Sequence, residues 1–191
     1  MSARTPRAKA GAARRIAFLR AINVGGHTVT MDRLKSLFEG MGFRGVETFI
    51  ASGNVVFEAG AQPAAALEAT IAARLEKALG YDVATFVRTM DEVAAIAAYE
   101  AFDAAEVARA RTHCVGFLAA PLGKAAAAKL MALRTAVDDF HVHGREVHWL
   151  SRVGQSESVF SNAVFEKAVG VRATFRGVNT VRKMAAKYAQ P

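Results

Sequence analysis

The sequence predicts an α+β fold: two ferredoxin-like (α-β plait) subdomains packed together, each an antiparallel sheet with helices on one face. Three observations carry that expectation. Hydrophobic periodicity over residues 15–89 reads β-α-β-β-α-β, the order of a plait. The same order starts again at His113. The first strand is apolar on both of its faces, so the side of the sheet without helices also needs a cover, and the second plait is the obvious one.

Residues 16–22 (IAFLRAI) form a short branched and aromatic run, bounded by Asn23 and Gly25-Gly26, and read as a strand. Period-2 alternation sends Ile16, Phe18 and Ile22 to one face and Ala17, Leu19 and Ala21 to the other. Thr30 is a suitable N-cap for a helix carrying Met31, Leu34, Leu37, Phe38 and Met41, which Gly42 stops. Val46–Ala51 and Val55–Phe57 flank Ser52-Gly53-Asn54 as a β-hairpin. Pro63 opens an Ala-rich helix to Leu79, closed by Gly80, and Val83–Val87 is the fourth strand.

A connector helix spans Asp91 to Tyr99. His113–Ala119 is then a strand and Lys124–Arg134 a helix. Val137–His143 and Glu146–Leu150 form a hairpin about Gly144-Arg145. Val159–Val169 is a helix ending at Gly170, Val171–Thr174 a brief strand, and Asn179 to Tyr188 a closing helix. The expected organisation is a disordered basic tail at 1–14, a first plait at 15–89, a helical connector at 90–111 and a second plait with its C-terminal helix at 112–191.

The chain has 191 residues, 52% hydrophobic and 22% charged, enough apolar content for a core. One cysteine, Cys114, excludes an internal disulfide and reads as a small core residue. No apolar run reaches membrane-spanning length and the tail lacks a secretory h-region, so a cytoplasmic protein without a membrane span is expected. The formal net charge of +8 invites a nucleic-acid reading, but its placement argues otherwise. Arg4, Arg7, Lys9, Arg14 and Arg15 crowd residues 1–15, and Lys167, Arg172, Arg176, Arg182, Lys183 and Lys187 crowd residues 167–191, both without an acid. Between them, 14 Lys and Arg face 17 Asp and Glu, so the body is slightly acidic.

Four stretches, LRAINVGG (19–26), SGNVVF (52–57), SNAVFEKAVG (161–170) and FRGVNTVRKM (175–184), resemble the bacterial domain-of-unknown-function family 1697 from Arg15 to Tyr188. The resemblance implies two plait-like subdomains and no established activity. The family's usual Thr-Arg-Asn-Trp-Asn-Thr reads here Phe175 to Thr180: Arg176, Asn179 and Thr180 are kept, while Gly177 and Val178 replace an Asn and the Trp.

Candidate ligand-binding residues fall in three of these stretches. Arg20 lies beside apolar surface and needs a carboxylate, a carbonyl cluster or an anionic ligand, while Asn23, Gly25 and Gly26 offer a turn with exposed N–H groups. Ser52 and Asn54 offer hydroxyl and amide contacts, or serve only the turn. Arg176 precedes a helix that Asn179 or Thr180 would cap, a combination suited to an anion. A fourth cluster is a consequence of hairpin register: a Gly144-Arg145 turn pairs His143 with Glu146 and His141 with His148 on one face. Those four side chains are a metal-ligating set by type, but a polar, water-facing side of the hairpin is the favoured reading, so no metal and no cofactor are expected.

The best functional reading is a protein binding a small anionic or nucleotide-like ligand at the cleft between the plaits. An RNA- or DNA-binding role through the tail and the basic C-terminal region is the alternative, although SGNVVF lacks the aromatic RNA-recognition motif. An enzyme is the third, with no catalytic set recognisable: there is no P-loop, no GxGxxG and no complete acid–base pair. Oligomeric state is not legible.

Overall fold

The computed structural model describes residues 12–23, 25–50 and 53–188. The first plait comprises β1 (Ala13–Leu19), α1 (Met31–Gly40), β2 (Arg44–Phe49), β3 (Asn54–Ala59), α2 (Ala64–Leu79) and β4 (Thr85–Thr89). Two connector helices follow, α3 (Met90–Ala98) and α4 (Ala104–Arg109). The second plait comprises β5 (Thr112–Phe117), α5 (Lys124–Met131), β6 (Asp138–His143), β7 (Glu146–Ser151), α6 (Asn162–Val169) and β8 (Thr174–Gly177), and α7 (Val178–Tyr188) closes the chain. The strand orders are β2-β3-β1-β4 and β6-β7-β5-β8, one topology used twice, with every pairing antiparallel.

Local chemistry sets the element ends. Thr30 caps α1 by accepting from Arg33 N, and Thr89 and Glu92 form a reciprocal capping box at the start of α3. Gly80 and Gly170 end α2 and α6 in the left-handed conformation that glycine adopts without cost. Several expected bounds move. β1 begins at Ala13, inside the stretch expected to be tail, and ends at Leu19. Ile22 therefore leaves the strand alternation and enters the helix-side core with Ala17 and Leu19. β8 sits three residues later than expected, and α6 starts only at Asn162 behind the Ser161 cap. α4 was not expected. Residues 1–11 of the expected tail lie outside the described residues.

Apolar side chains form three layers. One core lies between the first sheet and α1/α2, built on Leu34, Phe38, Phe57, Leu67 and Ile71. Another lies between the second sheet and its helices, built on Leu130, Phe140, Trp149 and Phe165. The third lies between the two open sheet faces: Ile16, Phe18, Val56 and Phe86 meet Val115 and Phe117, with α3 and α7 closing its sides through Val93, Val181 and Met184. Phe18 and Phe117 stack at its centre with ring centroids 3.8 Å apart. That is where the second apolar face of β1 goes.

The helices at the sides are exchanged. α7, from the second half, reaches β2 through Tyr188, which sits edge-on to Phe49 at 6.0 Å and donates to Glu47 Oε2 at 3.1 Å. Tyr99, at the end of α3 from the first half, stacks on His143 of β6 at 4.0 Å and hydrogen-bonds His141 Nε2 at 2.8 Å. Strand register places Phe49 and His143 at equivalent positions, and likewise Glu47 and His141. Reciprocal contacts of this kind are the mark of a two-fold arrangement, here between halves of one chain.

Candidate functional site

The four sequence stretches that carry the family resemblance meet at one junction between the plaits. Arg20 stands one residue past β1. Its Nε and Nη2 donate to Glu166 Oε1 and Oε2 of α6, both at 2.6 Å. Glu166 also accepts from Asn162 Nδ2 and Ala173 N, each at 3.1 Å. Burial pushes the Glu166 carboxyl up, but Arg20 and these two donors outweigh it and hold the group below its ordinary value.

Arg176, 9% exposed on β8, points back across the interface. Nε donates to Asn54 Oδ1 at 2.7 Å. Nη1 donates to Thr174 Oγ1 at 2.8 Å and to Phe175 O at 2.9 Å. Nη2 donates to Leu19 O at 2.9 Å and Gly53 O at 3.5 Å. That accounts for all five guanidinium N–H groups. Burial pushes Arg176 down to about 10, which still leaves it charged at neutral pH. It forms no ion pair with a carboxylate among the described residues, so its charge is answered by dipoles alone. Arg176 binds the carbonyl of Leu19, the residue before Arg20, and the donors of both arginines expected for a ligand are committed to protein partners.

The remaining expected residues have mixed placements. Asn23 Oδ1 accepts from Val29 N at 2.7 Å and staples its loop, and Tyr81 Oη donates to Ile22 O at 2.8 Å. Gly25 and Gly26 are exposed with φ of +70° and +87°, a backbone demand of the turn. Asn54 is fully buried and donates from Nδ2 to Phe49 O at 3.0 Å. Ser52 lies outside the described residues. Asn179 and Thr180 sit within the first turn of α7, not at its cap, because β8 runs directly into the helix.

The histidine face of the second hairpin has the expected register, His141 opposite His148 and His143 opposite Glu146. It is water-facing only in part: His143 is exposed and His141 half-buried. His148 is 1% and Glu146 7% exposed, because α3 and Tyr99 cover that side of the sheet. Glu146 is taken by Arg88 Nε at 2.7 Å. Among the described residues, no group of three or more His, Cys, Asp or Glu side chains has a metal-holding arrangement. Cys114 is buried, and burial pushes its thiol up to about 11.

A polar cavity of about 440 Å³ opens at the start of α7. Arg111, Thr112, His113, Gln155, Asn179 and Arg182 contribute to its wall, with Gly177 and Val178. The first-turn N–H groups of α7 lie at its positive end. Arg111 pairs with Glu157 at 3.1 Å in an exposed contact, and Arg182 donates from Nε to Ala97 O at 3.4 Å. His113 Nε2 is buried without a hydrogen-bond partner among the described residues, and burial, then Arg182, lowers the basicity of that ring. A second cavity, about 640 Å³, shares His113 and Arg182 and adds Tyr99, Phe102, His141 and Arg134. Sequence reading missed Arg111. The available signal was Arg109 and Arg111 in the connector together with the acid-free C-terminal stretch.

Residues 13–148 match the family described as "Protein of unknown function (DUF1697)". The fold is similar to that of the conserved bacterial protein SP0830 from Streptococcus pneumoniae, with a TM-score of 0.70 and 18% identity over 94% of this chain and 99% of that one. The sequence has no match among curated proteins. No described helix is long and apolar enough to cross a membrane.

Proposed function

The chain belongs to the DUF1697 family, which assigns no reaction, and from that premise we propose that it binds a small anionic ligand, of the phosphate- or carboxylate-bearing, nucleotide-like class, at the N-terminus of α7. The observation that supports this reading is the convergence of Arg111, Arg182 and Asn179 with the first turn of α7 on one polar cavity. Arg176, one residue before Gly177, adds an uncancelled charge behind the helix start. Arg20 and the Asn54–Arg176 contact serve this site indirectly, by fixing β8 and α7 against the first plait. The expected ligand residues therefore divide: Asn179 lines the cavity, while Arg20, Asn54 and Arg176 hold the frame.

Calorimetric titration with inorganic phosphate and a nucleoside monophosphate tests the reading. Arg182→Gln and Arg111→Gln are each expected to weaken binding about ten-fold, the loss of one charge-assisted contact, with an unchanged unfolding midpoint. Undiminished affinity in the double variant sinks the site.

A further inference from the structure

The two halves of this chain differ at one equivalent place, and the difference describes a ligand. Leu19 and Leu118 are equivalent: each comes one residue after the phenylalanine, Phe18 or Phe117, that pairs with the first residue of its hairpin's second strand, and each donates its N–H to the hairpin turn of its own sheet, Leu19 to Gly53 O at 2.8 Å and Leu118 to Arg145 O at 3.0 Å. The next residues are Arg20 and Ala119. Arg20 crosses to the second helix of the other plait and pairs with Glu166. Ala119, whose side chain ends at Cβ, lines one groove with α2, the second helix of the opposite plait. That groove, of about 490 Å³, is bounded by α2, the start of β4 and the 118–123 loop.

A carboxylate stands in this groove as Glu166 stands in the other. Glu166 Oε1 accepts from Ala173 N, and Glu68 Oε1 accepts from Val87 N at 2.8 Å. Glu68 is only 8% exposed. Its Oε2 has no hydrogen bond among the described residues. The cations nearest Oε1, Arg88 and Arg145, are each 3.9 Å away and are committed at 2.7 Å to Glu146 and Glu92. Burial raises the Glu68 carboxyl above its ordinary value despite the Val87 N–H and both arginines. The walls are apolar: Ala65, Ala69, Ala72, Ala84 and Leu122. At the rim, Arg172 is neutralised by Asp82.

We propose that this groove is a binding site for a small alkyl cation, a guanidinium or ammonium group on a short apolar stem, which sets its charge on Glu68 as Arg20 sets its own on Glu166. The alanine walls accommodate the stem, and the carboxylate rejects anions and gives a neutral amide no charge to answer. The site is separate from the anion cavity at α7 and stands whether or not that one does.

The test uses the full chain, isotope-labelled, titrated with n-butylguanidinium, n-butylammonium and the neutral n-butylurea, following the amide signals of Glu68, Val87 and Ala119. Both cations are expected to give saturable shifts confined to the groove, with the urea at least about ten-fold weaker. Glu68→Gln is expected to weaken cation binding by a similar factor. Ala119→Arg, which supplies the missing side chain internally, is expected to abolish cation binding while raising the unfolding midpoint. That second variant keeps the test decisive if Glu68→Gln fails to fold. Equal affinity for the urea, no saturable shift with either cation, or unchanged cation affinity in Ala119→Arg overturns the proposal.

Discussion

Arg88 and Arg176 occupy the same register position in the two halves, and each is held by the half to which it does not belong. Arg88 pairs across β1 with Ile16, and Arg176 across β5 with Val115. Arg88 Nη2 donates to Leu118 O at 2.8 Å and Arg145 O at 3.2 Å; Arg176 Nη2 donates to the equivalent Leu19 O and Gly53 O. Nη1 of each donates to the carbonyl of the preceding residue, Val87 or Phe175, at 2.9 Å. The Nε partner differs, Glu146 for Arg88 and Asn54 for Arg176, and Arg176 Nη1 adds a bond to Thr174 Oγ1 that Arg88 lacks. One clamp is an ion pair and the other a charge held by dipoles.

The two clamps should fail differently. Arg88→Met leaves Glu146 buried without its cation, a loss of about 3–5 kcal/mol. Arg176→Met strands neutral acceptors, at about 1–3 kcal/mol for each that water does not reach. Adding Glu146→Gln should recover part of the Arg88→Met loss, since it removes the orphaned charge. Urea denaturation of the three variants checks this; absence of recovery would show that Glu146 is not what the loss measures.

Gly53→Ala probes the same junction from the turn. Gly53 has φ +74°, and an added Cβ would stand 2.6 Å from Ile22 Cγ2. A cost above about 1 kcal/mol is expected from the backbone conformation and the crowding together. Because Gly53 O and Leu19 O both receive Arg176, the double variant with Arg176→Met should lose less than the separate losses combined, with a coupling of about 0.5–3 kcal/mol. Additive losses in the double-mutant cycle would separate the turn from the clamp.

Sequence reading succeeded where a signal is local. The Gly144-Arg145 turn dictated the pairing of His141 with His148, and the structure has that register. It failed for His148 and Glu146, which α3 and Tyr99, over forty residues away, help to bury, while His143 on the same face stays exposed. Arg20 was legible as an arginine needing a partner, but Glu166 lies 146 residues along the chain, and nothing in a single sequence selects it over a ligand. Strand ends slipped where both Leu19 and Arg20 suit a strand and only the crossing to Glu166 decides. Halves with little residue identity concealed the equivalence of Arg88 and Arg176, which appears only when registers are compared.

His148 should make the protein acid-sensitive. Its imidazole is pushed down to about 4, by burial first and then by the neighbouring His113, His141 and His143. The unfolded chain takes up that proton near pH 6.5, the folded chain only near 4. Stability is therefore complete above about pH 6.5 and falls as pH drops toward 4, by on the order of 3 kcal/mol in total. The equivalent position in the first half is Val56. His148→Val should flatten the pH 4–7 stability profile and cost little at pH 7; an unchanged slope would assign the acid sensitivity to other groups.

Removing residues 1–11 separates the anion reading from the nucleic-acid one. The deletion takes away Arg4, Arg7 and Lys9. The first sheet pairing begins at Ala13 with Ala59, so the unfolding midpoint should not move. Affinity for single-stranded RNA, measured across a salt series, should fall and its salt dependence should flatten, because counterion release scales with the number of phosphates neutralised. Affinity for inorganic phosphate should stay unchanged, since Arg111, Asn179 and Arg182 are all retained. RNA binding with an undiminished salt slope after the deletion would place the polyanion contact on the folded body, and the basic residues of α7, Arg182, Lys183 and Lys187, would then be the first to replace.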